Sequence, residues 1–108
     1  MSETVVIVLW FRAAEAAAFE EAFTRQVRPL WDEFRASGKF LLASLARIGD
    51  GNQEVAGAKG YLLVIETPSR DEHDAFDKDP RFLRFLKKAQ KWQPEDPWVM
   101  LGDTLHRV

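Results

Sequence analysis

The apolar run Tyr61–Ile65 constrains the fold of this chain more than any other segment. Gly60 precedes this run, and Pro68 lies three residues after its end. The aromatic and branched side chains of the run are typical of a strand buried on both faces. Because successive side chains of a strand point to opposite faces, Tyr61, Leu63 and Ile65 share one face, and Leu62 and Val64 share the other. Each face therefore needs a cover. The parity of the strand does not tell which face the helices take.

Three other segments are predicted to be strands. Val5–Phe11 is apolar at every position and is again typical of a strand buried on both faces. Phe40–Ile48 is followed by the turn-forming cluster 49–54, which predicts a hairpin with the strand Tyr61–Glu66. Trp98–Leu101 is the last strand, with a continuation through Thr104–Val108 left open.

A helix is predicted over Ala13–Ser37, with Gly38 as the residue that ends it. Pro29 interrupts this helix because proline lacks the amide hydrogen and clashes with the preceding turn, so a kink or break is expected near Arg25–Arg28. The apolar face of the helix consists of Phe19, Phe23, Val27, Leu30 and Phe34, with Trp31 at its edge.

Two helical segments follow the strand Tyr61–Glu66. Ser69 and Glu72 have the spacing of a capping box, which starts a short helix over Arg70–Lys78. The pair Asp79-Pro80 supplies an N-cap and a proline at the first helical position, which starts the next helical segment. Its apolar stripe is Phe82, Phe85, Leu86 and Ala89.

The order strand, helix, strand, strand, helix, strand predicts an α+β fold of the ferredoxin-like βαββαβ type. A four-stranded antiparallel sheet then carries helices on one face, and residues 1–108 form one domain. The other face of the sheet would expose a large apolar patch, which monomers rarely keep. The sequence therefore predicts a homodimer formed through a sheet face.

Composition excludes several classes of partner. The formal net charge is −2, so no strong field draws the chain to nucleic acid or to a membrane surface. Lys59-Gly60-Tyr61 matches the start of a strand in RNA-recognition motifs, but Leu63 and Glu66 stand where aromatic residues should stack on bases. The chain has no cysteine and no basic leader, and Val5–Phe11 is too short to span a membrane, so a cytoplasmic location is expected.

With these elements in place, the chain resembles the dimeric α+β barrel superfamily, which includes the antibiotic-biosynthesis monooxygenases and EthD-like proteins. The resemblance implies a ligand pocket in each subunit, between the sheet and the helices. Members include cofactor-free oxygenases, haem-degrading enzymes, isomerases and proteins without known activity, so the fold alone does not define a reaction. The matching segments are Val5–Phe11, Arg28-Pro29-Leu30 through Lys39-Phe40, and Ile65–Phe76 continuing into Asp79-Pro80-Arg81-Phe82.

Haem-degrading members pair a helix histidine with an asparagine on an early strand and with a tryptophan. His73 matches the histidine, but Val5–Phe11 contains no asparagine, which argues against haem degradation. His73 and Asp77 also have the helical spacing of a metal-binding pair, with Asp74 adjacent. Catalytic metals usually take three protein ligands, and acidic residues are common near helix starts for electrostatic reasons alone. No metal ion and no cofactor are therefore expected.

His73 is the candidate catalytic residue, because it lies three residues before Phe76 on the inward side of its helix and can change charge near neutral pH. The alternative is a histidine bonded only to solvent or backbone. A set of aromatic residues is predicted to bind a flat ligand or else to form the core and dimer interface. These residues are Trp10, Tyr61, Phe76, Trp92 and Trp98.

Two functions remain open on the sequence alone. The first is a small-molecule-binding protein, acting as a cofactor-independent monooxygenase or isomerase on a flat or aromatic substrate in a pocket between sheet and helices. The second is a non-enzymatic binding or accessory protein whose dimer interface is purely structural. An open pocket behind Trp10, Tyr61 and Phe76 would favour the first function, and a solidly packed one would favour the second.

Overall fold

The computed structural model describes residues 1–108. Strand β1 (Glu3–Arg12) leads through a short 3₁₀ turn (Ala13–Glu15) into helix α1 (Ala16–Ala22), a π-helical segment (Phe23–Val27) and helix α2 (Arg28–Ala36). Strands β2 (Leu42–Arg47) and β3 (Ala58–Thr67) follow, then helices α3 (Arg70–Asp77) and α4 (Pro80–Gln90), and finally strand β4 (Trp98–Asp103). This order confirms the α+β, ferredoxin-like fold.

The four strands form one antiparallel sheet in the order β2-β3-β1-β4. The predicted hairpin between β2 and β3 is confirmed, although β2 begins only at Leu42 and Phe40 lies before it in the core. Strands β1 and β3 extend beyond their predicted bounds, since the two pair over ten residues. The last strand ends at Asp103 and does not continue through Thr104–Val108.

The helices cover the sheet face that carries Tyr61, Leu63 and Ile65. These side chains are 1%, 8% and 7% exposed and form one core with the aromatic residues of the helices. Leu62 lies on the opposite, open face and is 40% exposed. The structure thus shows which face of β3 the helices cover, which the alternation of its side chains did not reveal.

A π-helical segment covers Phe23–Val27 and so overlaps Arg25–Arg28, where the kink before Pro29 was expected. The amide of Arg28 bonds to the carbonyl of Phe23, five residues back. In an α-helix, residues that are four apart are offset from each other by about 40° around the helix axis. The wider π-helical turn reduces this offset. Trp31, which was predicted at the edge of the apolar face of the helix, therefore lies in the core and is 7% exposed.

Both caps of the second helical region form. The Ser69 hydroxyl accepts a hydrogen bond from the Asp71 amide, and the carboxylate of Glu72 reaches back to Ser69. Asp79 accepts a bond from the Arg81 amide at 2.8 Å, with Pro80 at the first helical position. Gly38, at φ +79°, ends α2 in the left-handed conformation that glycine permits. None of the helices is long and apolar enough to cross a membrane.

Candidate functional site

An open cavity of about 540 Å³ lies between the covered face of the sheet and helices α3 and α4. Most of its wall is apolar, with Phe82, Phe85 and Leu86 contributed by α4. Val99 and Leu101 of the edge strand β4 complete the wall and are 50% and 42% exposed. Its volume falls within the range of roughly 300–1,000 Å³ that is usual for small-molecule sites.

Helix α3 gives the cavity its polar wall. Arg70, His73 and Asp77 recur at helical spacing, so they share one face of α3 and line the cavity together. His73 Nδ1 lies 2.8 Å from Glu3 Oε1, and His73 Nε2 lies 3.1 Å from Asp77 Oδ2. Arg70 Nε donates to Glu3 Oε2 at 2.7 Å. We call these four residues the His73 cluster.

The two carboxylates of the His73 cluster differ in their electrostatics. Partial burial raises the pKa of Glu3, but hydrogen bonds from Arg70 and His73 outweigh this and hold the pKa below its usual value. Burial against the cavity wall raises the pKa of Asp77 above its usual value, with His73 opposing this and Asp74 adding to it. Glu3 is therefore a stable anion, and Asp77 holds a proton more readily.

The predicted aromatic residues are not brought together around this cavity. Trp10 and Trp98 lie on the opposite face of the sheet, where their rings meet edge to face at 6.0 Å. Trp10 is only 4% exposed and lies beside Ile48 and the β2–β3 connection, with which it shares the wall of a separate hollow. Only His73 among the predicted site residues lines the cavity.

Tyr61 lies in the core and bonds to charged residues rather than to an open space. Its hydroxyl donates to Glu20 Oε2 at 2.6 Å, and Arg47 holds the same carboxylate through two bonds of 2.6 and 3.0 Å. Burial and the Glu20 carboxylate raise the pKa of Tyr61 to about 12. The phenol is therefore neutral and anchored in the folded protein.

Phe76 and Trp92 pack within and against the core. The Phe76 ring lies 4.5 Å from that of Phe82 and is 3% exposed. Trp10, Tyr61 and Phe76 are thus packed, and this result taken alone favours the non-enzymatic function. The case for a ligand site rests instead on a different open volume, which lies further along the sheet, towards β4.

Three polar residues of the site were not recognised from the sequence. Glu3 is 70 residues away from His73 along the chain, and no periodicity links the two. Arg70 and Asp77 could have been found, because their spacing to His73 places all three on one helix face. Asp77 was considered only as a metal ligand. Glu3 and Asp77 contact opposite nitrogens of the His73 ring, and no three His, Asp or Glu side chains converge on one point that could hold a metal ion.

A second hollow of about 620 Å³ lies between α2 and the edge strand β2. Its wall includes Arg28 and Asp32, which pair with each other at 3.0 Å on the surface. No histidine lines it, and fewer apolar side chains do so than in the cavity beside α3. The cavity that contains the His73 cluster is therefore the stronger candidate.

Comparisons with known proteins give a match in structure only. No protein-family model matches the sequence, and no curated protein matches it. The chain is similar to a candidate antibiotic biosynthesis monooxygenase from Caulobacter crescentus, with 20% identity, a TM-score of 0.77, and 97% of this chain and 91% of that one covered. It is also similar to SnoaB, a cofactor-independent oxygenase from Streptomyces nogalater, with 18% identity, a TM-score of 0.72, and coverage of 99% and 96%.

A third similar structure is a dimeric ferredoxin-like protein from an uncultured marine organism, with 12% identity, a TM-score of 0.77, and coverage of 99% and 90%. Identities this low establish the fold and leave the reaction open. The chain has the fold of the dimeric α+β barrel proteins, the group that includes the antibiotic biosynthesis monooxygenases.

Proposed function

We propose that the protein binds a flat, aromatic small molecule in the cavity beside α3 and acts on it as a cofactor-independent monooxygenase. The observation that carries this proposal is an open, largely apolar cavity with His73 on its wall. The apolar side chains of α4 and β4 suit an aromatic ring system, and the polar groups of α3 suit a single hydroxyl or carbonyl group.

His73 is the proposed catalytic base. An oxygenase without a cofactor must draw electrons from the substrate itself, so the substrate must first become an electron-rich anion. A base in the cavity that removes a proton from a phenol, or from a methylene activated by a carbonyl group, produces such an anion. The overall change at a methylene is R₂CH₂ + O₂ → R₂C=O + H₂O, in which the substrate carbon is oxidised and dioxygen is reduced.

We propose that the working unit is a homodimer formed through the open face of the sheet. Val6 and Val8 of β1 lie there in register with Met100 and Trp98 of β4, which are 58% and 39% exposed. Leu62 lies opposite Val8 on the other side. Monomeric proteins rarely expose an apolar patch of this kind, and a second copy facing the patch would bury it. The similarity to a dimeric ferredoxin-like protein supports the same assembly.

The binding part of the proposal is tested with 7-hydroxycoumarin, a flat fluorescent phenol. We expect saturable binding that is lost when Leu86, on the cavity wall, is replaced by Trp. The matched control is Leu83→Trp, since Leu83 lies on the same helix but is 46% exposed and outside the cavity. Equal binding by both variants would contradict the assignment of the cavity.

The catalytic part is tested with anthrone, whose methylene is activated by a carbonyl group. We expect dioxygen uptake without added metal or flavin, and its loss in His73→Ala. His106→Ala serves as the control, because His106 is the other histidine and is exposed. Binding of both compounds without dioxygen uptake by the native protein would instead favour the non-enzymatic binding function.

A further inference from the structure

We propose that Glu3 is a positioning residue for His73: it holds the hydrogen of the neutral ring on Nδ1 and so directs the basic Nε2 atom to Asp77 at the cavity wall. This inference rests on the proposed function, in which His73 is the base, and assigns a role to two further residues. The observations behind it are the three contacts of the Glu3 carboxylate and the imidazole ring.

The position of the hydrogen follows from what each group can donate. Arg70 donates to Glu3 Oε2 at 2.7 Å, which stabilises the ionised carboxylate. An ionised carboxylate only accepts hydrogen bonds. Nδ1 of His73, at 2.8 Å from Glu3 Oε1, must therefore carry the hydrogen. In the neutral ring the other nitrogen, Nε2, is then the proton acceptor.

Asp77 completes the arrangement as the group that shares a proton with Nε2. At 3.1 Å, the contact requires a hydrogen on one of the two atoms, either as imidazolium with carboxylate or as neutral imidazole with a carboxylic acid. The contact of Nδ1 with Glu3 is shorter, at 2.8 Å, and Arg70 holds that carboxylate in place, so Nδ1 is the atom that keeps its hydrogen in the neutral ring. The Asp77 side chain is 53% exposed, so it can turn to solvent, release the shared proton there and leave an unprotonated Nε2 to a ligand hydroxyl.

The His73 cluster can account for each proton when His73 deprotonates a bound ligand. The ligand O–H bond breaks, Nε2 takes the proton, and the imidazolium keeps its Nδ1 hydrogen bond to Glu3. The proton then leaves Nε2 for the Asp77 carboxylate and passes to solvent. Glu3 remains ionised throughout and stabilises the positive ring, as a buried carboxylate does for a catalytic histidine.

The other charged groups around His73 are few. Helix α3 adds Asp74, and β4 places Asp103 in register with Glu3. Helix α4 contributes apolar side chains and the neutral amide of Gln90 to the cavity. Arg70 is thus the one cation of the cavity wall, and it is held by Glu3 rather than by Asp77.

The test is the tautomer of His73, read from ring ¹⁵N chemical shifts of the full chain labelled in histidine. His106→Gln removes the only other histidine and assigns the signals. At the alkaline plateau of the titration, we expect a protonated Nδ1 and an unprotonated Nε2 in the otherwise native protein. A protonated Nε2 at that plateau would overturn the proposal without any substitution in the His73 cluster.

Variants then separate the roles of the two carboxylates. We expect Glu3→Ala to shift His73 towards the Nε2–H tautomer, and Glu3→Gln to retain the native tautomer because its side-chain carbonyl still accepts from Nδ1. Asp77→Asn should also retain it. A folded Glu3→Ala protein with the native tautomer would refute the role of Glu3, as would a change of tautomer caused by Asp77→Asn alone.

These measurements use no ligand, so they are independent of the proposed function. A native Nδ1–H tautomer together with failure to bind 7-hydroxycoumarin would refute the proposed function and leave the position of the proton established. Binding together with an Nε2–H tautomer would refute the role of Glu3 and leave the cavity assigned.

Discussion

Adjacent leucines on β3 provide a matched test of which sheet face is covered and which is open. Leu63 is 8% exposed in the core, and Leu62 is 40% exposed on the opposite face. Leu63→Asp forfeits roughly 1.5–3 kcal/mol of apolar burial and adds a further cost of several kcal/mol for a buried charge. The sum approaches the whole stability of a typical domain, about 5–15 kcal/mol, so we expect an unfolded protein.

Leu62→Asp has a different expected result, because its carboxylate can reach water in the isolated protomer. A twofold interface would contain two copies of the new charge, each costing several kcal/mol when buried, which corresponds to at least a thousandfold weaker association. Sedimentation analysis should show a folded monomer, with circular dichroism as the check on folding. Leu62→Ala is the control for lost apolar area alone.

Two outcomes would refute this reasoning. If Leu62→Asp sedimented as a dimer of native affinity, the open face would not be the interface. If Leu63→Asp folded with native stability, the assignment of the covered face would be wrong. Either outcome can be read without knowledge of a ligand.

Two further predictions concern the core and the open face. Tyr61 is the only tyrosine, so ultraviolet absorbance follows its ionisation directly, and we expect a midpoint near pH 12 and a lower one in Glu20→Gln. The free energy of unfolding should fall by about 2 kcal/mol between pH 10 and 12, because the pKa of Tyr61 is higher in the folded than in the unfolded state and the unfolded state loses its proton first. A midpoint near 10 in the folded protein would contradict the anchored phenol. Gly60→Ala places a methyl group 2.6 Å from the ring of Trp10 and should lower the free energy of unfolding in urea by about 1–3 kcal/mol. In the control Gly102→Ala the methyl group meets nothing within 4 Å, and the loss should be less than about 1 kcal/mol. Equal losses would contradict the close packing of Trp10 on Gly60.

The order of elements could be predicted from sequence because the signals are local. Apolar runs, the Ser69 and Asp79 caps, Gly38 and the break before Pro29 each act within a few residues, and the structure contains all of them. The π-helical form of the break also follows a local pattern, since Phe23, Val27 and Trp31 recur every four residues.

The orientation of the sheet was harder to predict, because β1 is apolar on both faces. One signal was available in β3: Glu66 shares the parity of Leu62, which marks that face as the one away from the helices. Glu66 is nevertheless 4% exposed, because Arg107 and Ser2 cover its carboxylate. The same parity places Trp10 on the open face, away from the cavity that it was expected to line.

Only part of the candidate site could be predicted from the sequence. His73 was identified from its place on α3, whereas its partner Glu3 comes from the start of β1 and meets it only through the three-dimensional packing of strand and helix. The sequence left open whether Tyr61 binds a ligand or lies in the core. It could not point to Glu20, which lies 41 residues away and accepts the hydrogen bond from the Tyr61 hydroxyl in the fold.

The most direct test of the proposed site is a crystal structure of the protein with bound 7-hydroxycoumarin. We predict the ring system between α4 and β4, against Phe82 and Val99, with its hydroxyl oxygen within hydrogen-bonding distance of His73 Nε2 and the Asp77 side chain turned away. A coumarin bound elsewhere on the protein, with the cavity beside α3 unchanged, would contradict the assignment of both the cavity and His73.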